Sequence, residues 1–283
     1  MTCSVCGSNQ TQIAWYGAIR GREGKHTVLQ CETCDVLFLP DFETPDYQQG
    51  YREEVGPDDL KRHYADIVSV CDTNNAISGK TIMDIGASGG AYMIGVSQFA
   101  KTVMGVEPNE EQRRKLSARY KMYASIEEAV KEQEGKIDTV TAWHVIEHVD
   151  DPIDFLQSLS ELLTDNGRIY ISTPNQREIL MKLLPDEFSP FFYRAWHSHY
   201  FTLSSIINCI TLSGMSPLMV DARHSWGLSN CLGWMKEKKP VGKWEDIEPH
   251  QSELIDVVWQ SYLKEIGMGD TLYAVIAKDG GLH

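Results

Sequence analysis

The chain has 283 residues, 42% hydrophobic and 23% charged, a composition that suits one large α/β domain with an appended module and excludes a disordered or low-complexity chain. Its 40 acids outnumber 26 lysines and arginines, leaving a net charge of -14, which argues against a surface built to grip phosphate backbone and hence against a nucleic-acid partner. No apolar run nears the roughly 18 residues that span a bilayer, and the opening MTCSVCGSNQ lacks a signal-peptide layout, so a cytoplasmic protein with no membrane partner is expected.

The first element is a pair of Cys-x-x-Cys turns, Cys3 with Cys6 and Cys31 with Cys34, separated by 24 residues. Each turn presents two thiolates, and two facing turns complete the tetrahedral sulfur shell of a closed, structural Zn2+ site. Residues 12 to 30, with a polar turn at 20 to 24, read as a hairpin between the pairs, as in a zinc ribbon. An odd total of seven cysteines argues against a disulfide framework. Three cations against five acids in residues 1–45 make this module a poor phosphate grip, so it is expected to brace the main domain or cover one side of its cleft.

Residues 46–79 read as a linker followed by a helix from Asp58 to about Asn74, with Tyr47, Tyr51 and Tyr64 as candidates to pack on a ligand or on the neighbouring domain. Strand-like runs then appear at Thr81–Ile85, Thr102–Val106, Ile137–Trp143 and Arg168–Ser172. Helix-period segments lie between them at Ala91–Phe99, Glu110–Tyr120, Ile126–Glu132 and Pro152–Leu163, an alternation that implies a mostly parallel sheet with helices on both faces. Glycine costs stability inside regular elements, so the cluster Gly86-Ala-Ser-Gly-Gly90 directly after the first run marks a tight turn or a close approach to a ligand.

The cluster does not fit the dinucleotide fingerprint, because Ser88 and Ala91 stand where that pattern requires glycine. The segment Asp84-Ile-Gly86-Ala87-Ser88-Gly-Gly90 resembles instead the Asp-x-Gly-x-Gly-x-Gly loop of class I S-adenosylmethionine-dependent methyltransferases, with Ser88 at the middle glycine. Two later features strengthen the resemblance: Glu107-Pro108 at the end of the second run, and IDTVTAWHVIEHVDDP, which looks like the stretch lining the methionine end of the cofactor. The resemblance implies a Rossmann-like seven-stranded methyltransferase sheet over residues 80–222. It also implies that Asp84, Gly86, Ala87, Ser88, Gly90, Glu107, Pro108, Ile126, Trp143 and His144 bind S-adenosyl-L-methionine, Glu107 through the ribose hydroxyls and Ile126 against adenine.

Residues 175–202 read as a substrate lid that contains His197 and His199 among aromatic neighbours. This stretch resembles the Tyr-His-Glu-His-x-x-Tyr-Phe segment of zinc-containing sugar methyltransferases, which also begin with a cysteine-rich ribbon; Trp196 and Ser198 depart from it. The resemblance implies that His199, and secondarily His197, is the general base, while His144 and His148 line the pocket or cap a helix. A helix at Leu203–Leu212 follows. Residues 223–283 form a C-terminal excursion with Trp226, Trp234 and Trp244 as either acceptor platform or local core, a helix at Gln251–Ile266, and a last strand near Thr271–Ala277 expected as the reversed edge of the sheet. The leading expectation is therefore O-methylation of a small molecule, a sugar or nucleotide-linked sugar, by an enzyme in which oligomers are allowed. A zinc-ribbon RNA methyltransferase and a non-catalytic cofactor-binding regulator are the rivals.

Overall fold

The computed structural model describes residues 1–42, 44, 46–48, 67–71, 75–241 and 249–278. Tyr51, Tyr64 and Trp244, and most of the helix expected at 58–74, lie outside them; residues 67–71 are helical.

In chain order the strands are β1 Thr11–Ile19, β2 Arg22–Cys31, β3 Leu37–Phe38, β4 Thr81–Ile85, β5 Thr102–Val106, β6 Lys121–Tyr123, β7 Ile137–Trp143, β8 Leu163–Pro174, β9 His199–Tyr200, β10 Met215–Arg223 and β11 Thr271–Lys278. Seven of them form one sheet in the order β10-β11-β8-β7-β4-β5-β6. β4, β5, β6, β7 and β8 run parallel, whereas β11 is antiparallel to both β8 and β10. Strand order reverses between β4 and its neighbours β5 and β7, which is where open α/β sheets bind ligands.

Alternate residues of each strand feed two cores. On β11, Leu272, Ala274 and Ile276 pack on one face while Tyr273 and Val275 pack on the other. The last strand is reversed, as its place in the chain suggested, but it is not the edge. Seven of its eight residues are buried, a run that needs cover on both faces and both flanks, and β10 takes the edge instead. β10 suits an edge: its burial is partial, and Pro217 sits there beside an irregularity in the pairing.

Helix starts follow their caps. Asn109 Oδ1 accepts from Gln112 N to open Glu110–Ser117, Asp151 accepts from Ile153 N and Asp154 N ahead of Pro152–Leu162, and Thr202 and Ser205 form a reciprocal box ahead of Leu203–Leu212. The segment after the glycine cluster is a helix of only six residues, Ala91–Val96.

The ribbon is continuous with the rest of the molecule. Its sheet runs β1-β2-β3-β9, so the fourth strand comes from segment 175–202, with Leu37 opposite Tyr200 and Phe38 opposite His199. Ile19, Val28 and Leu37 of the ribbon share one core with Phe188, Phe192 and Trp234. Segment 175–202 itself contains the short helices Ile179–Leu183 and Pro185–Phe192. Trp234 is core, packed edge-on against Phe188 and Phe191, and Trp226 is half-buried. Among the described residues no helix is long and apolar enough to cross a membrane.

Candidate active site at the carboxyl ends of β4, β5 and β7

Beyond β4 the backbone enters the left-handed region at Gly86 (φ 71°), Ser88 (φ 50°) and Gly90 (φ 76°). The amides of Gly86 and Ala87 both donate to Val106 O, at 2.9 and 3.0 Å, which ties the loop to the end of β5. A Cβ on Gly86 would come within 2.8 Å of a Val145 methyl, so the loop lies against the turn that follows β7; a Cβ on Gly89 would meet open space. Asp84 is 3% exposed beneath this loop and accepts from Thr141 Oγ1 at 2.7 Å. Burial pushes its carboxyl up to about 7.

Glu107 ends β5 as a buried carboxylate. Its Oε2 accepts from Ser88 N at 2.7 Å and its Oε1 from Asn109 N at 2.8 Å, so two amides orient it. A carboxylate has about four acceptor sites, and two remain for a further donor pair. Burial raises its pKa, partly offset by those amides. Ile126 is half-buried at the start of its helix, and the hydroxyl of Ser125 is taken by the cap bond to Glu128 N. Trp143 packs edge-on against Tyr92, and its Nε1 has no hydrogen-bond partner among the described residues.

After Trp143 the chain turns at His144 (φ 55°) into a short 3-10 helix, Ile146–His148. That turn aims Glu147 inward at 1% exposure, and Glu147 Oε1 lies 3.2 Å from His144 Nδ1. Burial alone would raise the Glu147 carboxyl, but the hydrogen bond to His144 and the surrounding imidazoles outweigh it and hold it below the usual carboxylate range. Ligand-capable atoms of Glu147, His148 and His197 all lie within 4.8 Å of one another. His148 Nδ1 donates to Trp196 O at 2.7 Å, which leaves Nε2 as the ring's acceptor. Burial keeps His197 neutral by pushing its pKa well below the ordinary value.

Thr44 and residues 46–48 lie against the same region. Thr44 Oγ1 donates to Asp150 at 3.2 Å, Asn109 Nδ2 donates to Tyr47 O, and Gln48 Nε2 donates to Pro108 O, so this strap runs from the β7 turn to the β5 loop. The Tyr47 hydroxyl is pushed up by burial and then by Asp150, Glu107 and Glu147, which places it among the acids of both halves of the site.

His199, expected from the sequence as the base, sits differently from His197. It is 3% exposed, with Ser198 Oγ 2.7 Å from Nδ1 and Ser4 Oγ 2.6 Å from Nε2, and burial pushes its pKa down to about 4. Ser198 Oγ lies 2.6 Å from Val149 O, an acceptor for its proton, so the hydroxyl's lone pairs face Nδ1–H and Ser4 faces the remaining nitrogen. Both ring nitrogens are engaged, and neither is left to take a proton from an acceptor. Glu147 was not singled out in the sequence; the signal lay in His144-Val-Ile-Glu147-His148, whose spacing puts three titratable groups on one tight turn.

In the ribbon, both turns repeat one geometry: Gly7 N donates to Cys3 O and Asp35 N to Cys31 O, each at 2.9 Å, with Gly7 and Asp35 at positive φ. Sγ atoms of Cys3 and Cys34 lie 3.6 Å apart, those of Cys6 and Cys31 3.5 Å apart, and all four fall within 4.8 Å. Thiolates around Zn2+ at about 2.3 Å would be separated by about 3.8 Å, so the four residues could hold that ion. Asp35 accepts from Ser204 Oγ at 3.0 Å and Asn208 Nδ2 donates to Cys34 O at 3.3 Å, which docks the second turn on the helix Leu203–Leu212.

A doubly wound sheet with one reversed strand, a glycine loop after its first strand and an acid after its second define a class I S-adenosylmethionine-dependent methyltransferase domain. A family model described as a methyltransferase domain matches residues 58–216, more than half of the chain, and the chain belongs to that family. Among curated proteins it is similar to the ubiquinone biosynthesis O-methyltransferase of Actinobacillus pleuropneumoniae, 31% identical over 135 residues, covering 39% of this chain and 57% of that protein. The protein of the same name from Colwellia psychrerythraea is 27% identical over 147 residues, covering 45% and 59%. The chain thus spans less than two thirds of the length of these relatives. Solved structures share the fold: a SAM-dependent methyltransferase from Archaeoglobus fulgidus (TM-score 0.51, 15% identity, 77% of this chain and 94% of that one) and one from Thermotoga maritima (TM-score 0.51, 15% identity, 78% and 92%).

Proposed function

We propose that the protein transfers the methyl group of S-adenosylmethionine to an oxygen of a small-molecule acceptor. The observation that carries this reading is the arrangement of Glu107: a buried carboxylate oriented by the Ser88 and Asn109 amides, with two acceptor sites to spare, beside a loop left open at Gly89. Glu107 would hold the ribose diol, the backbone of Gly86 to Gly90 the methionine tail, Pro108 and Ile126 the adenine side, and Trp143 and His144 the donor end. The donor supplies a methyl carbon already activated by its sulfonium. When the acceptor oxygen bonds to that carbon, the carbon–sulfur bond breaks, its electron pair stays on sulfur, and the acceptor's proton leaves.

The group around Glu147, which includes His197, lies at the donor end and assists loss of that proton, whereas His199 is a positioning residue that links Ser4 of the ribbon to Ser198, which in turn bonds the β7 turn. The names of the curated relatives favour an oxygen acceptor; the ribbon and the segment around His197 favour a sugar or nucleotide-linked sugar within that class. We read the four cysteines as a structural zinc site and the compartment as cytoplasmic, with no nucleic acid or membrane partner. Isothermal titration of S-adenosylmethionine tests the first half: tight binding to the native chain that is lost in Glu107→Ala is expected, and no binding to the native chain refutes it. A turnover screen over sugars, nucleotide sugars and phenols then assigns the acceptor.

A further inference from the structure

The group at Glu147 has a property that proton transfer alone does not require. Three ligand-type side chains from two distant stretches of chain, Glu147 and His148 on the β7 turn and His197 before β9, converge to within 4.8 Å in a place where Glu147 and His197 are 1% and 3% exposed. Glu147 Oε2 and His197 Nδ1 are buried with no hydrogen-bond partner among the described residues. An unpaired carboxylate oxygen is among the costliest groups to bury, and a partner for it is expected.

His148 has the outer hydrogen bond that metal-bound histidines usually have: its Nδ1–H donates to the backbone carbonyl of Trp196 at 2.7 Å, which leaves Nε2 as the nitrogen with a lone pair. The rings of His148 and His197 lie 4.7 Å apart, nearly perpendicular to one another. His144, whose side chain is 34% exposed, holds the other carboxylate oxygen of Glu147 and so steadies it from the open side.

We propose that Glu147, His148 and His197 form a site for a first-row divalent cation beside the donor loop. Two imidazoles and a carboxylate suit ions such as Mn2+, Fe2+, Co2+ or Zn2+, and three protein ligands leave positions open to a further oxygen. The turn that carries two of the ligands touches the donor loop through Val145 and Gly86, so an acceptor hydroxyl occupying an open position lies next to the methyl donor. A hydroxyl bound there loses its proton far more readily than in water. This role rests on the methyl-transfer reading; occupancy of the site does not.

Co2+ titration of the full-length chain, first stripped of metal and then loaded with one equivalent, is the test. The thiolate cage announces itself by sulfur-to-cobalt charge-transfer absorption, which histidine and carboxylate ligands lack. The expected result is a second equivalent that adds visible absorption without further charge transfer. His197→Gln and Glu147→Gln should each abolish this second equivalent, while the first and the circular dichroism stay unchanged. A native chain that takes only one equivalent overturns the proposal, as does a second equivalent that survives in both variants. Titrating S-adenosylmethionine into the same samples separates the two readings: donor binding without a second cobalt sinks the cation site alone, and a second cobalt without donor binding sinks the methyltransferase reading alone.

Discussion

The molecule carries two clusters of metal-ligand residues, and they are built on opposite plans. The ribbon cluster is four sulfurs from two similar turns, three of them buried and Cys6 half-buried, and its surroundings engage neighbouring elements through Asp35 and Asn208. The cluster on the β7 turn has three groups of mixed chemistry that could hold a metal, two buried atoms with no partner among the described residues, and a half-exposed histidine on its open side. The closed plan suits holding a fold together; the open plan suits engaging a passing ligand. A single hydrogen-bonded run, Ser4 to His199 to Ser198 to Glu147 O, joins them.

The largest effect expected is from breaking the closed cluster. Cys31→Ser removes a ligand from a site whose metal-binding free energy in small zinc modules is about 10 to 16 kcal/mol. The variant should lose zinc by elemental analysis and lose the cooperative thermal transition of the ribbon and segment 175–202 together, because they share one sheet. An unchanged melting profile in a zinc-free variant would show that the sulfur cage braces nothing.

Next comes the donor acid. On the proposed reading, Glu107→Ala would remove two charge-assisted hydrogen bonds to the ribose, roughly 1.5 to 3 kcal/mol each, so donor affinity should fall on the order of 100-fold or more. Since burial raises the carboxyl's pKa and only its ionised form accepts both hydroxyls, affinity in the native chain should also weaken as pH falls through that raised value. Titration at pH 7.5 and pH 5 checks both.

The two histidines sharpen the comparison further. His197→Ala should slow turnover roughly 100-fold with donor affinity near native. His199→Ala should instead cost about 1 to 3 kcal/mol of stability, measured by urea denaturation, through the loss of a buried ring and its bonds to Ser4 and Ser198. The opposite outcome, a stable His199→Ala variant with abolished turnover, would return the base to the position the sequence first suggested.

The smallest effect expected concerns Asp84. Its folded pKa of about 7 lies above the ordinary 3.8, so the folded state holds the proton more tightly than the unfolded chain. The associated stability is fully present below about 3.8 and lost as pH rises through about 7. Asp84→Asn should therefore be more stable than the native chain at pH 8, with the advantage shrinking as pH falls through about 7 and gone below about 3.8. A urea midpoint that is the same in both proteins at pH 8 would remove the penalty assigned to this carboxylate.

Much of this was legible in residue order. The strands β4, β5 and β7 and the helix Leu203–Leu212 coincide with the runs read from apolar pattern, and the helices read from Glu110, Pro152 and Leu203 begin there, each behind a capping residue that the structure shows. β6 was too short to show a period, and β10, with Pro217 and partial burial, reads as loop. The position of β11 inside the sheet depends on which strand β10 pairs with, a contact that no local pattern encodes.

What the sequence by itself determined is the local chemistry: paired thiols at fixed spacing, a backbone turn that only glycine and a serine in left-handed conformation satisfy, and an acid at a strand end. Each is set by residues within a few positions of one another. What only the tertiary structure decided is which histidine serves which site. His197 and His199 are two residues apart, which a continuous strand would place on one face; His197 instead lies ahead of β9 and reaches Glu147, while His199, inside β9, meets Ser4 of the ribbon. That choice is made by long-range pairing of β9 with β3, which brings together positions 38 and 199.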